Sequence, residues 1–283
     1  MAAGGNGNGN GEGDAVLSVD AVANEAAALI EEQPAVEELE KLVAGEPLVR
    51  LDDINAGYGR MEILHGFNLR VGKGQSLCLI GPNGAGKSTV LHTIYGFTRI
   101  YNGRVRVGDA DITTVNANQK LKRVGIAYVL QDNSVFPDMT VEENLLMGGY
   151  LLNSQDQARE AAEHVLERYP RLNDRRRQKA GVLSGGERRI LEISRALIMG
   201  PGVLLIDEPS IGLEPRFIDM VFELLVDLKE NQDKTIIMVE QNAKKGLQFA
   251  DIGYVLVSGQ LAMAGSGDQV LNDPSVGRLF LGG

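Results

Sequence analysis

The sequence predicts an α/β fold built on a parallel sheet and interrupted by a helical insertion, and three observations carry that prediction. SLCLI (76–80), VLLID (203–207) and TIIMVE (235–240) are short, continuously apolar runs, as expected of parallel strands covered on both faces. Helical patterns separate them, which argues for a sheet with crossover helices. A glycine-rich stretch comes directly after the first run and opens into a helix, so backbone N–H groups and a helix N-terminus converge there.

Taken in order, residues 4–13 hold six glycines and three asparagines, a composition that favours a flexible, solvated segment. Val16, Val19, Val22, Ala23, Ala26, Leu29 and Ile30 then fall at helical spacing until Pro34 interrupts them. Val36, Leu39, Leu42 and Val43 repeat the pattern over a shorter stretch. From Leu48 the character is strand-like: LVRLDDI, FNLRV (67–71), SLCLIG (76–81) and GRVRV (103–107). GIAYVL (125–130) leads into a polar loop and a largely helical stretch from about 140 to 199. A helix over roughly 215–230 separates the last two apolar runs. The division expected is an acidic tail over 1–47 and a folded domain over 48–283, with a helical subdomain at about 134–200.

The 283 residues are 43% hydrophobic and 23% charged, ordinary for a globular chain that buries a large core. No window of 18 consecutive apolar residues reads as a membrane span. The start lacks the basic and apolar regions of a secretory signal. The single cysteine, Cys78, excludes an internal disulfide and a cysteine-cluster metal site, and an intracellular setting is expected. His65, His92 and His164 share no ligand spacing. The net charge of −10 sits almost wholly in the first 47 residues, which hold ten acids and one base. The nearly neutral body offers no basic footprint, which argues against general nucleic-acid binding.

The strongest motif is Gly81, Pro82, Asn83, Gly84, Ala85, Gly86, Lys87, Ser88, the G-x-x-x-x-G-K-[ST] phosphate loop, with Thr89 next in the helix. Its glycines let backbone N–H groups face a polyphosphate without obstruction by a Cβ. Lys87 is placed to reach the β- and γ-phosphates and the Ser88 hydroxyl to ligate Mg²⁺. Asp207 and Glu208 follow the apolar run Val203–Ile206. A strand-end aspartate there can hold Mg²⁺ and the adjacent glutamate can orient or activate water. Leu183, Ser184, Gly185, Gly186 and Glu187 open an apparent helix, where serine caps the helix or the N–H groups bind an anion.

The phosphate loop, LSGGE and LLIDEP in this order resemble the ATP-binding-cassette ATPases over residues 48–283, with the tail outside the resemblance. The resemblance implies a RecA-like P-loop NTPase core, an antiparallel β subdomain and an α-helical signature subdomain. It implies that Ser184, Gly185, Gly186 and Glu187 close over ATP held by an opposing subunit. Tyr58 matches the aromatic that stacks on adenine. Gln131 matches the glutamine that contacts Mg²⁺ and the attacking water. The stretch from Ser210 to Glu214 resembles the loop joining two ATP sites, with Glu214 in place of the more usual aspartate. Gln241 stands where most of the family has histidine, so an amide replaces an imidazole opposite the γ-phosphate.

That departure, VEQNA (239–243), together with IYG (94–96), TVEENLLMGGY (140–150) and the terminal LFLGG, resembles one branch: the ATP-binding subunits of branched-chain amino-acid importers and their urea and amide relatives. The branch implies a second, similar ATPase, two multi-span membrane permease subunits and an external solute-binding protein, on the cytoplasmic face of the cell membrane. A lipid or lipopolysaccharide export ATPase is the alternative within transport. A mechanical ATPase of DNA repair would carry long coiled coils between the halves of its site. Lys87 and Asp207 are 120 residues apart, with no sustained heptads between them. A ribosome-associated factor usually carries two cassettes, and this chain has one.

Overall fold

The computed structural model describes residues 33–131 and 134–280. The strands are β1 (Pro47–Tyr58), β2 (Met61–Gly72), β3 (Ser76–Ile80), β4 (Arg99–Val107), β5 (Ala110–Asp111), β6 (Ile126–Val129), β7 (Val203–Asp207), β8 (Thr235–Val239), β9 (Ile252–Val257) and β10 (Gln260–Ser266). The principal helices are α1 (Val36–Lys41), α2 (Lys87–Tyr95), α3 (Val141–Gly148), α4 (Gln155–Arg168), α5 (Gly185–Leu197), α6 (Pro215–Gln232) and α7 (Ala243–Phe249). One sheet has the order β2-β1-β4-β5 with antiparallel pairing. The other has the order β10-β9-β3-β8-β7-β6, parallel throughout except for β10.

Every residue of β3, β7 and β8 is buried, because the six-stranded sheet is covered on both faces. The two-residue period of a strand divides their side chains between two cores. Leu77, Leu79, Val203, Leu205 and Ile237 join the cluster under the antiparallel sheet, with Leu51, Phe67 and Leu91. Cys78, Ile80, Leu204, Ile206 and Met238 face the helical layer, with Leu145, Leu191 and Leu225. Both clusters hold the sheet's carboxyl edge in place, and the site sits on that edge.

Two elements run beyond their sequence expectation or sharpen it. The first strand runs past LVRLDDI to Tyr58, because a register shift between Leu51 and Ile54 lets it continue. Asp53 takes φ 49° at that bulge, which breaks the alternation a sequence pattern relies on. The short amphipathic stretch at 36–43 is helical at Val36–Lys41, with Leu39 fully buried in the core under the antiparallel sheet. Gln75 fastens the chain just beyond this helix: its Oε1 accepts from the N–H of Ala44 at 3.0 Å and its Nε2 donates to the Leu42 carbonyl at 3.1 Å. The helical pattern at Val16–Ile30, the glycine-rich start and the last three residues lie outside the described residues.

The helical layer is formed by α3, α4, the turn Pro170–Asn173 and α5. Reciprocal capping starts two of these helices. Thr140 accepts from the Glu143 N–H at 3.1 Å while Glu143 accepts from the Thr140 N–H at 2.7 Å. Ser184 and Glu187 do the same for α5. Among the described residues no helix is long and apolar enough to cross a membrane.

Candidate nucleotide site

The loop from Gly81 to Ser88 joins β3 to α2 at the carboxyl edge of the parallel sheet. Gly81 has φ 143°, and a Cβ there would lie 2.1 Å from the Leu256 carbonyl oxygen, so neither the backbone nor the space admits a side chain. Gly86, at φ 97°, caps the N-terminus of α2. The Lys87 ammonium closes the loop by donating to the carbonyls of Gly81 at 2.9 Å and Pro82 at 3.0 Å. Burial lowers its pKa, against the opposing charges of Glu208 and Asp207. Ile63, Asn83, Gly84, Gly86, Lys87, Ser88, Thr89 and Glu208 line a cleft of about 280 Å³.

Two acidic groups complete the edge. The Ser88 hydroxyl donates to Asp207 Oδ1 at 3.1 Å, across 119 residues of chain. Glu208 sits at φ 45°, its N–H donating to the Val239 carbonyl at 2.9 Å. Gln131, exposed just beyond β6, donates its Nε2 to Glu208 Oε2 at 2.7 Å. Burial raises the Glu208 pKa, the charges of Asp207 and Glu240 add to this, and Lys87 opposes it. Phosphate loop, Asp207, Glu208 and Gln131 therefore meet at one place. A cation there would find only hard oxygen donors, from a hydroxyl, a carboxylate and an amide. No cluster of three His, Cys, Asp or Glu among the described residues forms a cage of its own. Such a set fits Mg²⁺, which keeps waters and takes phosphate oxygens rather than seeking an all-protein cage.

The other residues expected from the sequence lie apart from this cleft. Ser184, Gly185, Gly186 and Glu187 line none of it; Ser184 and Glu187 are engaged in capping α5, and Glu187 also pairs with Arg175 at 2.8 Å. Gly186 is required for packing, since a Cβ would lie 2.6 Å from the Phe217 ring. Tyr58, 43% exposed at the end of β1, shares a hydrogen bond between its hydroxyl and His92 Nδ1. Gln241 is exposed, two residues past Val239. Glu214 precedes α6 and pairs with Arg216 at 3.1 Å.

Sequence reasoning misses four supporting groups. Tyr128 donates its hydroxyl to Asp207 Oδ2 at 3.0 Å. Arg189 reaches from α5 to the Asp207 carbonyl, and Glu192 accepts from the Ser134 N–H at 2.8 Å. Glu240, which lies in VEQN, is 1% exposed and accepts from the Ser210 hydroxyl at 2.6 Å and the Asn242 N–H at 2.8 Å. It thereby ties the turn after Glu208 to the end of β8. Only the position of Glu240 beside Gln241 gives a sequence signal. A larger cleft of about 570 Å³ lies along α4, but its cations are engaged elsewhere: Arg168 with Asp227, and Lys234 with the Pro201 carbonyl at 2.7 Å.

A sequence profile of the ABC transporter family matches residues 64–211. The chain is 39% identical over 236 residues to a high-affinity branched-chain amino acid transport ATP-binding protein of Pseudomonas aeruginosa, covering 83% of this chain and 100% of that protein. It is 34% identical to a probable branched-chain amino acid transport ATP-binding protein of Archaeoglobus fulgidus, covering 83% and 99%. It is also 30% identical to a lipopolysaccharide export system ATP-binding protein of Haemophilus influenzae, covering 83% and 97%. The fold matches the crystal structure of a nucleotide-free ATP-binding cassette from an ABC transporter with a TM-score of 0.74 at 31% identity, over 84% of this chain and 100% of that one.

Proposed function

The chain belongs to the ABC transporter family and is an ATPase of that family, and from this premise we propose that it energises solute import as a peripheral subunit on the cytoplasmic face of the cell membrane. The observation that carries the catalytic part is the meeting of Gln131 with Glu208 at 2.7 Å beside the Lys87 loop. Lys87 and the loop N–H groups hold the β- and γ-phosphates. Glu208 takes a proton from the attacking water, and Gln131 orients that carboxylate. Ser88, Asp207 and Gln131 would hold Mg²⁺, which when bound neutralises charge on the phosphates.

The placement of Ser184–Glu187 away from its own phosphate loop supports a role toward ATP on a facing ATPase subunit. In this reading a second, similar ATPase, two multi-span permease subunits and an external solute-binding protein complete the assembly. ATP favours the closed pair of ATPases over the open one, and hydrolysis removes that preference. The names of the 39% and 34% identical relatives favour branched-chain amino acids as cargo. Urea or an amide is the neighbouring reading within this branch. The 30% identical lipopolysaccharide-export relative supports export as a second reading.

Uptake of labelled leucine, labelled urea and growth on each, in cells lacking this chain, tests the proposal. Loss of leucine uptake, restored by the intact chain and not by Glu208→Gln, is the expected result. Normal uptake of both solutes, with an outer-membrane defect instead, would establish the export reading.

A further inference from the structure

Between Tyr58 and the carboxylate of Asp207 lies a group of side chains that the proposed chemistry leaves unused: His92, Tyr95, Phe97 and Tyr128. Tyr128 stands on β6, next to β7 in the sheet, with Tyr128 and Leu205 in register. Its hydroxyl donates to Asp207 Oδ2 at 3.0 Å, while the Ser88 hydroxyl donates to Oδ1 at 3.1 Å. Each oxygen of a carboxylate that is 4% exposed thus receives one hydroxyl from a different element. The terminal torsion of a carboxylate is broad and roughly two-fold, so one donor alone leaves it free to turn. Two donors on opposite oxygens fix the plane.

The Tyr128 ring is itself held. His92 meets it edge-on at 5.7 Å, Tyr95 lies 5.4 Å away and Phe97 6.0 Å away, centroid to centroid. His92 in turn bonds the Tyr58 hydroxyl. Burial, with the charge of Asp207 second, raises the Tyr128 pKa.

We propose that Tyr128 is a positioning residue for the divalent cation: its hydroxyl holds the Asp207 carboxylate in the plane that receives the metal arriving with ATP. The proposal rests on the reading that Asp207 belongs to the metal site. The Ser88 hydroxyl bonds the other carboxylate oxygen and is itself a candidate ligand. Tyr128 acts from the opposite oxygen and lies outside the cleft lining.

The test is the affinity of the full-length chain for ATP, by calorimetry, in EDTA and over a range of MgCl₂. Tyr128→Phe keeps the ring and its three neighbours and removes only the donor. It should leave ATP affinity in EDTA within about twofold of wild type. It should also reduce the Mg²⁺-dependent gain about tenfold, the order of one charge-assisted hydrogen bond. Asp207→Asn should abolish that gain and serves as the reference. If Tyr128→Phe keeps the full gain while Asp207→Asn loses it, Tyr128 has no such role and the metal assignment stands. If Asp207→Asn keeps the gain, the metal assignment fails and the proposal with it. An equal loss of affinity in EDTA and in Mg²⁺ would mark Tyr128 as merely structural and would also overturn the proposal.

Discussion

Arg189, one turn into α5, donates Nη2 to the main-chain carbonyl of Asp207 at 2.7 Å. Its Nη1 donates to the Leu130 carbonyl at 2.8 Å and to Glu192 at 2.9 Å. Three functional segments meet on this one guanidinium: the helix begun by LSGGE, the strand end before Gln131, and the Asp207–Glu208 corner. Arg189 and Glu192 are both buried, so removing one strands the charge of the other. Arg189→Ala should therefore destabilise the chain by about 3–5 kcal/mol. Adding Glu192→Ala should restore part of that loss, because the stranded carboxylate goes as well. Urea unfolding of the two variants checks this, and a double variant less stable than Arg189→Ala would contradict it.

Lys87→Ala should abolish ATP hydrolysis and weaken ATP binding together. The ammonium holds the loop through Gly81 and Pro82 and, in the proposed site, supplies the charge for the phosphates, so both functions are lost at once. Filter binding and phosphate release on the assembled complex read the two effects. Wild-type turnover by this variant would contradict the site assignment.

Glu208→Gln should separate binding from chemistry. The amide keeps the size of the side chain but cannot take a proton from water, and general-base catalysis is worth about 10²–10⁴ in rate. Nucleotide affinity should stay near wild type, and ATP-loaded pairs of ATPases should accumulate as a larger species on size exclusion. Loss of ATP binding would instead assign Glu208 a structural role.

Acid stability should report the latch between α4 and α6. Arg168 donates to both oxygens of Asp227 at 2.7 Å. That bond holds the Asp227 carboxyl down to about 2 against burial, with help from Asn231 and Gln232. A carboxyl lowered in the folded state contributes stability above its unfolded value near 4, and loses it as pH falls toward 2. The pair is partly exposed, which limits the contribution to about 1 kcal/mol. Asp227→Asn should be less stable than wild type by that amount at pH 7, and the difference should close between about pH 4 and 2. A gap that persists unchanged to pH 2 would place the effect in packing.

The parallel strands were legible because burial on both faces leaves no polar position in the interior of SLCLI, VLLID or TIIMV. The phosphate loop was legible because its glycines are fixed by local geometry. Tyr128 was not, since its contact with Asp207 depends on β6 lying beside β7, and chain order does not state which strands are neighbours. His92 shows no ligand spacing because its partner is an aromatic hydroxyl 34 residues away. Arg189 reads in sequence as one more charge on an amphipathic helix, although it is 5% exposed. In each case the missing information is a long-range pairing.

Gln241 supplies the last prediction, because there the sequence leaves the general pattern of its family. The Glu208 N–H donates to the Val239 carbonyl, which puts the residues just beyond β8 on the same strand-end edge as the Glu208 carboxylate. Gln241 is exposed there and lines no part of the cleft of the single chain. In the proposed assembly its amide meets phosphate once a facing subunit closes the site. An amide can donate to the γ-phosphate and accept from water, but it carries no positive charge. Losing one well-placed donor costs about 10²–10³ in rate. Gln241→Ala should slow hydrolysis by that factor with little change in ATP affinity, and Gln241→His should retain activity with a pH dependence near neutrality. Single-turnover hydrolysis on pairs mutated in one subunit at a time assigns the effect to its site. If Gln241→Ala leaves hydrolysis at its own site unchanged, the residue is a passive strand end.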